Sequence, residues 1–216
     1  MNNILVQIKW DVPYENSAQV TAYRVYVADA DGVYTIETSY CNGLIEPVKS
    51  QRLCEIPMAV LRGPRFRLTF NTLIKAKIQA QNEFGWGEIS DANTDPAGAR
   101  IQTEPVAVRN VRRGDETSEI QIQVNWDPLT VYNDVRGSDI ISYHLQYDAE
   151  TNGAFWIDII GNNAFYPSTS FTLTYGIRAG RVYNFRVRAL NLWGWGPFSE
   201  MSWVKSSRAP LAVPSI

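Results

Sequence analysis

The chain has 216 residues, 45% of them hydrophobic and 19% charged, a balance that predicts a packed chain of one large or two ordinary domains rather than a disordered one. A net charge of -2 gives no pull toward a phosphate backbone, so no nucleic-acid partner is expected. No stretch approaches roughly 18 apolar residues, so no membrane insertion by this segment is expected, and the first residues do not read as a signal peptide.

In chain order, Ile4 to Trp10 (ILVQIKW) places an aliphatic residue at every second position and ends on Trp10-Asp11. That period of two reads as a half-buried strand. Ala22 to Val27 (AYRVYV) alternates in the same way, and Asp29 to Gly32 (DADG) reads as the turn after it. Cys41 and Cys54 are the only cysteines, and His144 is the only histidine. That set is too sparse for a structural metal site, which leaves either two buried thiols or one disulfide. Ile74 to Asn82 (IKAKIQAQN) is a further strand, followed by NEFGWGEIS, from Asn82 to Ser90. The stretch QTEPVAV, Gln102 to Val108, reads as a boundary, because Pro105 sets a stiff, extended entry.

Beyond the boundary the pattern repeats. Ile120 to Trp126 (IQIQVNW) matches Ile4 to Trp10, and Ser142 to Tyr147 (SYHLQY) matches Ala22 to Val27. Tyr183 to Asn191 (YNFRVRALN) matches Ile74 to Asn82, and NLWGWGPFS, Asn191 to Ser199, repeats the Asn-x-x-Gly-Trp-Gly-x-x-Ser frame. Ala149 to Gly153 (AETNG) stands where the first half has DADG. No segment keeps a helical period, and short strands alternate with Gly, Asn, Asp and Pro clusters. The reading is all-β, with two consecutive antiparallel β-sandwiches over residues 1–103 and 104–208. Residues 209–216 (APLAVPSI) echo EPVAVRNV, Glu104 to Val111, and are expected to be a linker or the start of a third repeat.

These residues resemble the fibronectin type III domain, an immunoglobulin-like sandwich, over nearly the whole chain. Trp10 and Trp126, Tyr23 and Tyr143, and the run VRALNLWGWGPFS carry the resemblance. It implies seven strands in two sheets for each domain, and a tyrosine corner at the start of the sixth strand. Tyr183 fits that corner, whereas Ile74 stands there in domain 1. Only nine residues precede Trp10, so the first strand of domain 1 is expected to be missing or truncated. That would leave an apolar edge for another segment to cover. The Cys41…Cys54-x-Ile56-Pro57 variant is similar to one found in tandem arrays of large protist surface proteins. A Cys41–Cys54 bridge would close the connection between the fourth and fifth strands, contribute roughly 3 kcal/mol, and imply an oxidising compartment.

No catalytic motif emerges. There is no Gly-x-Ser-x-Gly elbow, no phosphate loop, no acid/base pair and no complete calcium loop, so neither an enzyme nor a cofactor is expected. His144 reads as a surface or satisfied residue. Arg113-Gly114-Asp115 is the tripeptide displayed by integrin ligands, but it lies between the first two strands of domain 2, where Gly-Asp is ordinary turn chemistry. Trp86 and Trp195, each four residues beyond its strand, are expected to fold back over outward cations: Lys75 and Lys77 in domain 1, Arg186 and Arg188 in domain 2. That makes Gly-Trp-Gly structural and moves ligand contact to where the repeats differ, at Phe84 and Trp193. Trp156 and Trp203 are expected to cover a sheet.

The resulting expectation is a non-catalytic extracellular or cell-surface module: a spacer, adhesion or assembly unit in a tandem array, with filament assembly as one form. Its partners would be other proteins, neighbouring repeats or further copies of the chain. A receptor ectodomain or an accessory domain of a carbohydrate-active enzyme is the alternative.

Overall fold

The computed structural model describes residues 4–208. The chain divides into two compact units between Gln102 and Thr103. Thr103 is held by the second unit: its N–H donates to the Arg136 carbonyl, and its own carbonyl accepts from Asn191 Nδ2 at 2.8 Å. Residues 209–216, expected to be a linker or a third repeat, lie outside the described residues.

Unit 1 contains β1 (Leu5–Lys9), β2 (Ala22–Ala28), β3 (Tyr34–Ile36), α1 (Val48–Gln51), β4 (Leu53–Pro57), α2 (Met58–Arg62), β5 (Ala76–Asn82) and β6 (Gly85–Trp86). β1 pairs with β4 in one sheet, and the second sheet runs β3-β2-β5-β6, all antiparallel. The alternation read from the sequence sets the faces. Val6 on β1, Val25 and Val27 on β2, and Ile56 on β4 point inward and are buried. Trp10 meets Tyr23 edge to face, with ring centroids 5.4 Å apart.

Unit 2 contains β7 (Arg112–Arg113), β8 (Ile122–Asn125), α3 (Tyr132–Val135), β9 (Ser142–Tyr147), β10 (Ile157–Ile160), β11 (Ser170–Leu173), β12 (Val182–Asn191), β13 (Gly194–Trp195) and β14 (Ser202–Lys205). One sheet runs β11-β8-β7; the other runs β10-β9-β12-β13, with β14 also on β12. Val124, Trp126 and Leu173 from the first sheet pack against Leu145, Val187 and Ala189 from the second. Trp126 and Tyr143 repeat the edge-to-face pair at 5.8 Å.

Unit 1 departs from the seven-strand expectation. Among the described residues, no strand pairs with the outer edge of β1, the position that β7 occupies on β8 in unit 2. The segment after β6 follows β5 without forming a continuous ladder. Ser90 N–H donates to the Ile78 carbonyl, while Ser90 Oγ and Asn93 Oδ1 accept from the N–H groups of Ile78 and Ala76. Side-chain oxygens stand in for strand carbonyls there, which removes the regular pairing. Unit 2 makes the same contacts between Ser199 and Val187, yet Val187 and Ala189 are fully buried where Ile78 and Ala80 are half-buried, because the latter two line an open groove.

Candidate interaction surfaces

Strand alternation puts Arg186 and Arg188 on the outer face of β12, opposite the buried Val187 and Ala189. There they form a ladder with aromatic rings. Arg186 packs on Trp156 and on Phe198, 4.1 Å from each ring centroid. Arg188 packs on Phe198 at 4.6 Å and on Trp195 at 4.8 Å. The order is Trp156, Arg186, Phe198, Arg188, Trp195. The expected Arg186–Trp195 stack is not formed. Two residues along the strand from Arg188, Arg186 meets Trp156 beside β10 instead.

His144 lies beneath this ladder on β9 and is 1% exposed. Its ring sits 5.5 Å from Trp195 and 5.6 Å from Phe198. Nδ1 accepts from Arg188 Nε at 3.0 Å, so the neutral ring carries its proton on Nε2 and donates to Asp158 Oδ1 at 2.7 Å. Burial holds the His144 pKa below its ordinary value. The hydrogen bond and charge of Asp158 oppose this, and the charges of Arg188 and Arg186 reinforce it. Gln146 is the main cause that keeps Asp158 below the usual carboxylate range, with a hydrogen bond of 2.7 Å.

In unit 1 the cation under Trp86 is Arg24, 3.9 Å from the ring centroid, rather than Lys75 or Lys77. The register gives the reason. Arg188 stands opposite His144, and the same cross-strand pair in unit 1 is Gln79 opposite Arg24. The cation has moved from the β5 position to its partner on β2. Lys77 packs on Tyr34 at 4.7 Å, and Lys75 is exposed just before β5.

Cys41 and Cys54 are joined by a disulfide with Cα atoms 5.1 Å apart, both buried. The bridge ties the segment after β3 to β4, opposite Ile8 of β1. Tyr183 OH accepts from the Arg178 N–H at 2.8 Å and donates to Glu150 Oε1 at 3.0 Å. Burial raises the Tyr183 pKa, and Ile74 at the matching place is simply buried.

The tripeptide Arg113-Gly114-Asp115 does not offer its arginine freely. The Arg113 guanidinium donates to the carbonyls of Thr117 at 2.9 Å and Ser207 at 2.8 Å. Gly114 is buried, and a β-carbon there would lie 2.2 Å from Gln123 Oε1. Asp115 is exposed. Asp29 Oδ1 caps its turn by accepting from the N–H groups of Asp31 and Val33, each at 2.9 Å. No group of acidic, histidine or cysteine side chains among the described residues is arranged for a metal ion.

The two contact candidates differ in setting. Phe84 is 85% exposed. Trp193 is half-buried, with its N–H donating to Asn191 Oδ1 at 2.8 Å. Trp203 is not covering a sheet; it is largely exposed, because β14 is an outer strand and alternation turns Val204 inward instead.

Phe84 borders a groove of about 620 Å³ in unit 1, walled by Trp10, Tyr23, Ile78, Ala80 and Trp86. The sequence did not announce this groove.

Residues 106–205 match the family model of the fibronectin type III domain. Those residues lie in the second unit, which is similar to that domain. Two curated relatives extend the likeness across both units. The chain is 26% identical over 209 residues to fibronectin type-III domain-containing protein 3a of Gallus gallus, covering 94% of this chain and 15% of that protein. It is 25% identical over 192 residues to receptor-type tyrosine-protein phosphatase S of Gallus gallus, covering 89% of this chain and 11% of that one. The chain therefore spans a small fraction of the length of these relatives. A crystal structure of titin domains aligns at 16% identity and a TM-score of 0.46, covering 85% of this chain and 54% of that one.

Proposed function

We propose that the chain is a non-catalytic segment of an extracellular or cell-surface protein, two fibronectin type III beads that act as spacer and adhesion or assembly units in a tandem array. The observation that carries the compartment is the buried Cys41–Cys54 disulfide, since such bridges persist in oxidising surroundings. The family match supports a role in protein contacts. The arginine–aromatic ladder and the groove beside Phe84 are the surfaces through which each bead would meet a neighbour.

The test is the redox state of the two cysteines in protein taken from its own cells. Rapid alkylation before lysis, followed by mass measurement with and without reductant, should find Cys41 and Cys54 blocked from labelling until reductant is added. Free thiols in freshly alkylated cells contradict the extracellular reading.

A receptor ectodomain is the second reading, favoured by the match to a protein named as a receptor-type phosphatase. A membrane anchor encoded downstream in the same gene, with loss of surface display on its removal, distinguishes the two.

A further inference from the structure

Unit 2 has a hollow on the outer face of its larger sheet, toward the end of β12 away from Trp195. Its volume is about 400 Å³, and it is lined by Asp148, Glu150, Asn152, Val182, Asn184 and Trp203. The strand register builds it. Asn184 on β12 stands directly opposite Trp203 on β14, so both side chains leave the sheet on the same face. Alternation gives that face to Trp203, because its neighbour Val204 fills the core. The indole is 70% exposed.

Asp148 aims the site. It is fully buried, and N–H groups surround its carboxylate. Oδ1 accepts from the backbone N–H groups of Glu150 at 3.2 Å and Asn184 at 2.9 Å. Oδ2 accepts from the backbone N–H of Gly153 at 3.0 Å and from Asn184 Nδ2 at 2.7 Å. The bonds to Glu150 and Gly153 hold the turn that carries Asn152. The bond to Nδ2 fixes the Asn184 amide. A carboxylate only accepts, so the amide gives it the NH2 group and keeps Oδ1 as an acceptor for another molecule. Glu150, the other acidic group of the lining, is taken up by Arg178 Nη2 at 2.7 Å and Tyr183 OH at 3.0 Å. The charges that line the hollow are therefore paired within the protein.

The fold does not require this set. The Asp148 N–H donates to the Asn184 carbonyl, and the same bond in unit 1 joins Ala28 to Lys75. Unit 1 makes the equivalent strand pairing with neither the carboxylate nor the amide. Ser90 and Ser199 make matching bonds to β5 and β12, and counting on from them puts Thr94 at the place of Trp203.

An exposed flat ring beside a fixed amide, with no free charge in the lining, suits one chemistry. A pyranose has an apolar C–H face that stacks on an indole and edge hydroxyls that both donate and accept. A protein anchor calls for an apolar pocket, and apart from Trp203 it is Val182 that supplies the apolar lining. An anionic ligand calls for free cations or N–H groups, whereas the N–H groups here are turned to Asp148.

We propose that this hollow binds a neutral saccharide, with one pyranose ring stacked on Trp203 and a hydroxyl donating to Asn184 Oδ1 beside the Asn152 amide. It is a different surface from the arginine–aromatic ladder and the unit 1 groove, and its test is independent of the cysteine redox state.

The experiment is an NMR titration of the isotope-labelled full chain with millimolar probes. The neutral probes are oligosaccharides of β-linked glucose, of N-acetylglucosamine and of mannose; the charged probe is a sulfated heparin oligosaccharide. Wild type should show saturable shifts at the Trp203 indole N–H and the Asn184 side-chain amide with at least one neutral probe. Trp203→Ala should weaken that binding by about tenfold or more. Trp203→Phe keeps a ring and should weaken it less. The indole is exposed, so both variants keep the spectrum of the folded unit. No shift at Trp203 and Asn184 with any neutral probe overturns the proposal. So does neutral-probe binding that survives Trp203→Ala, or binding of the sulfated probe alone, which would place the contact on the arginines.

Discussion

Arg188 donates from Nε to Nδ1 of His144 across the β12–β9 ladder at 3.0 Å, which leaves the buried imidazole neutral with its other nitrogen on Asp158. A second proton would have to enter on the side that faces the guanidinium. The folded state therefore resists protonation that the unfolded chain accepts near pH 6.5. His144 has a folded pKa below its unfolded value. Its contribution to stability is complete above about pH 6.5 and is lost as pH falls toward the lower folded value. Asp158, also depressed, adds loss in the same direction only near and below about pH 4. Urea unfolding of unit 2 followed between about pH 7 and pH 5 should show stability falling with pH in the wild type. His144→Gln should flatten that slope. An equal slope in both would remove His144 as its source.

The ring–guanidinium ladder predicts energetic coupling between its rungs. A double-mutant cycle on Trp156 and Arg186, each changed to Ala, should give a coupling of about 0.5–1 kcal/mol. Phe198→Ala should cost more than either single change, because that ring contacts both arginines and shields His144. It should also move the imidazole titration, read by NMR, toward the ordinary histidine value. No coupling between Trp156 and Arg186 would reduce the ladder to proximity.

The disulfide acts on unit 1 alone. Reduction, or Cys41→Ser with Cys54→Ser, should lower the stability of that unit by roughly 3 kcal/mol through loss of loop closure in the unfolded chain. Unit 2 holds no cysteine, so its unfolding transition should stay in place. Calorimetry that shows both transitions moving together would contradict this assignment.

The Arg113-Gly114-Asp115 tripeptide is expected to be structural. Asp115→Glu should leave cell attachment unchanged. Arg113→Ala should destabilise unit 2 by about 1–3 kcal/mol, since it frees the carbonyls of Thr117 and Ser207. Attachment that falls with Asp115→Glu while stability holds would restore an adhesive role.

The fold was legible because alternation is a local signal. Val6, Val25, Val124 and Val187 point inward for the reason visible in the sequence, and the repeated Trp–Tyr pairs mark where the two sheets meet. The ladder was half legible. Arg188 over Trp195 follows from strand phase, but the move to Arg24 in unit 1 depends on cross-strand register, which one strand alone does not reveal. Aligning Arg188 with Gln79 instead of with a lysine would have exposed the gap. Phe198 was hidden because its role comes from a turn folding back over β12. The groove was least legible of all, since its walls come from residues as far apart in the sequence as Trp10 and Ser90.

The most direct test is the redox state of Cys41 and Cys54 in protein alkylated in its own cells before lysis. The account predicts that both sulfurs stay blocked from labelling until reductant is added. Free thiols at both positions would contradict it.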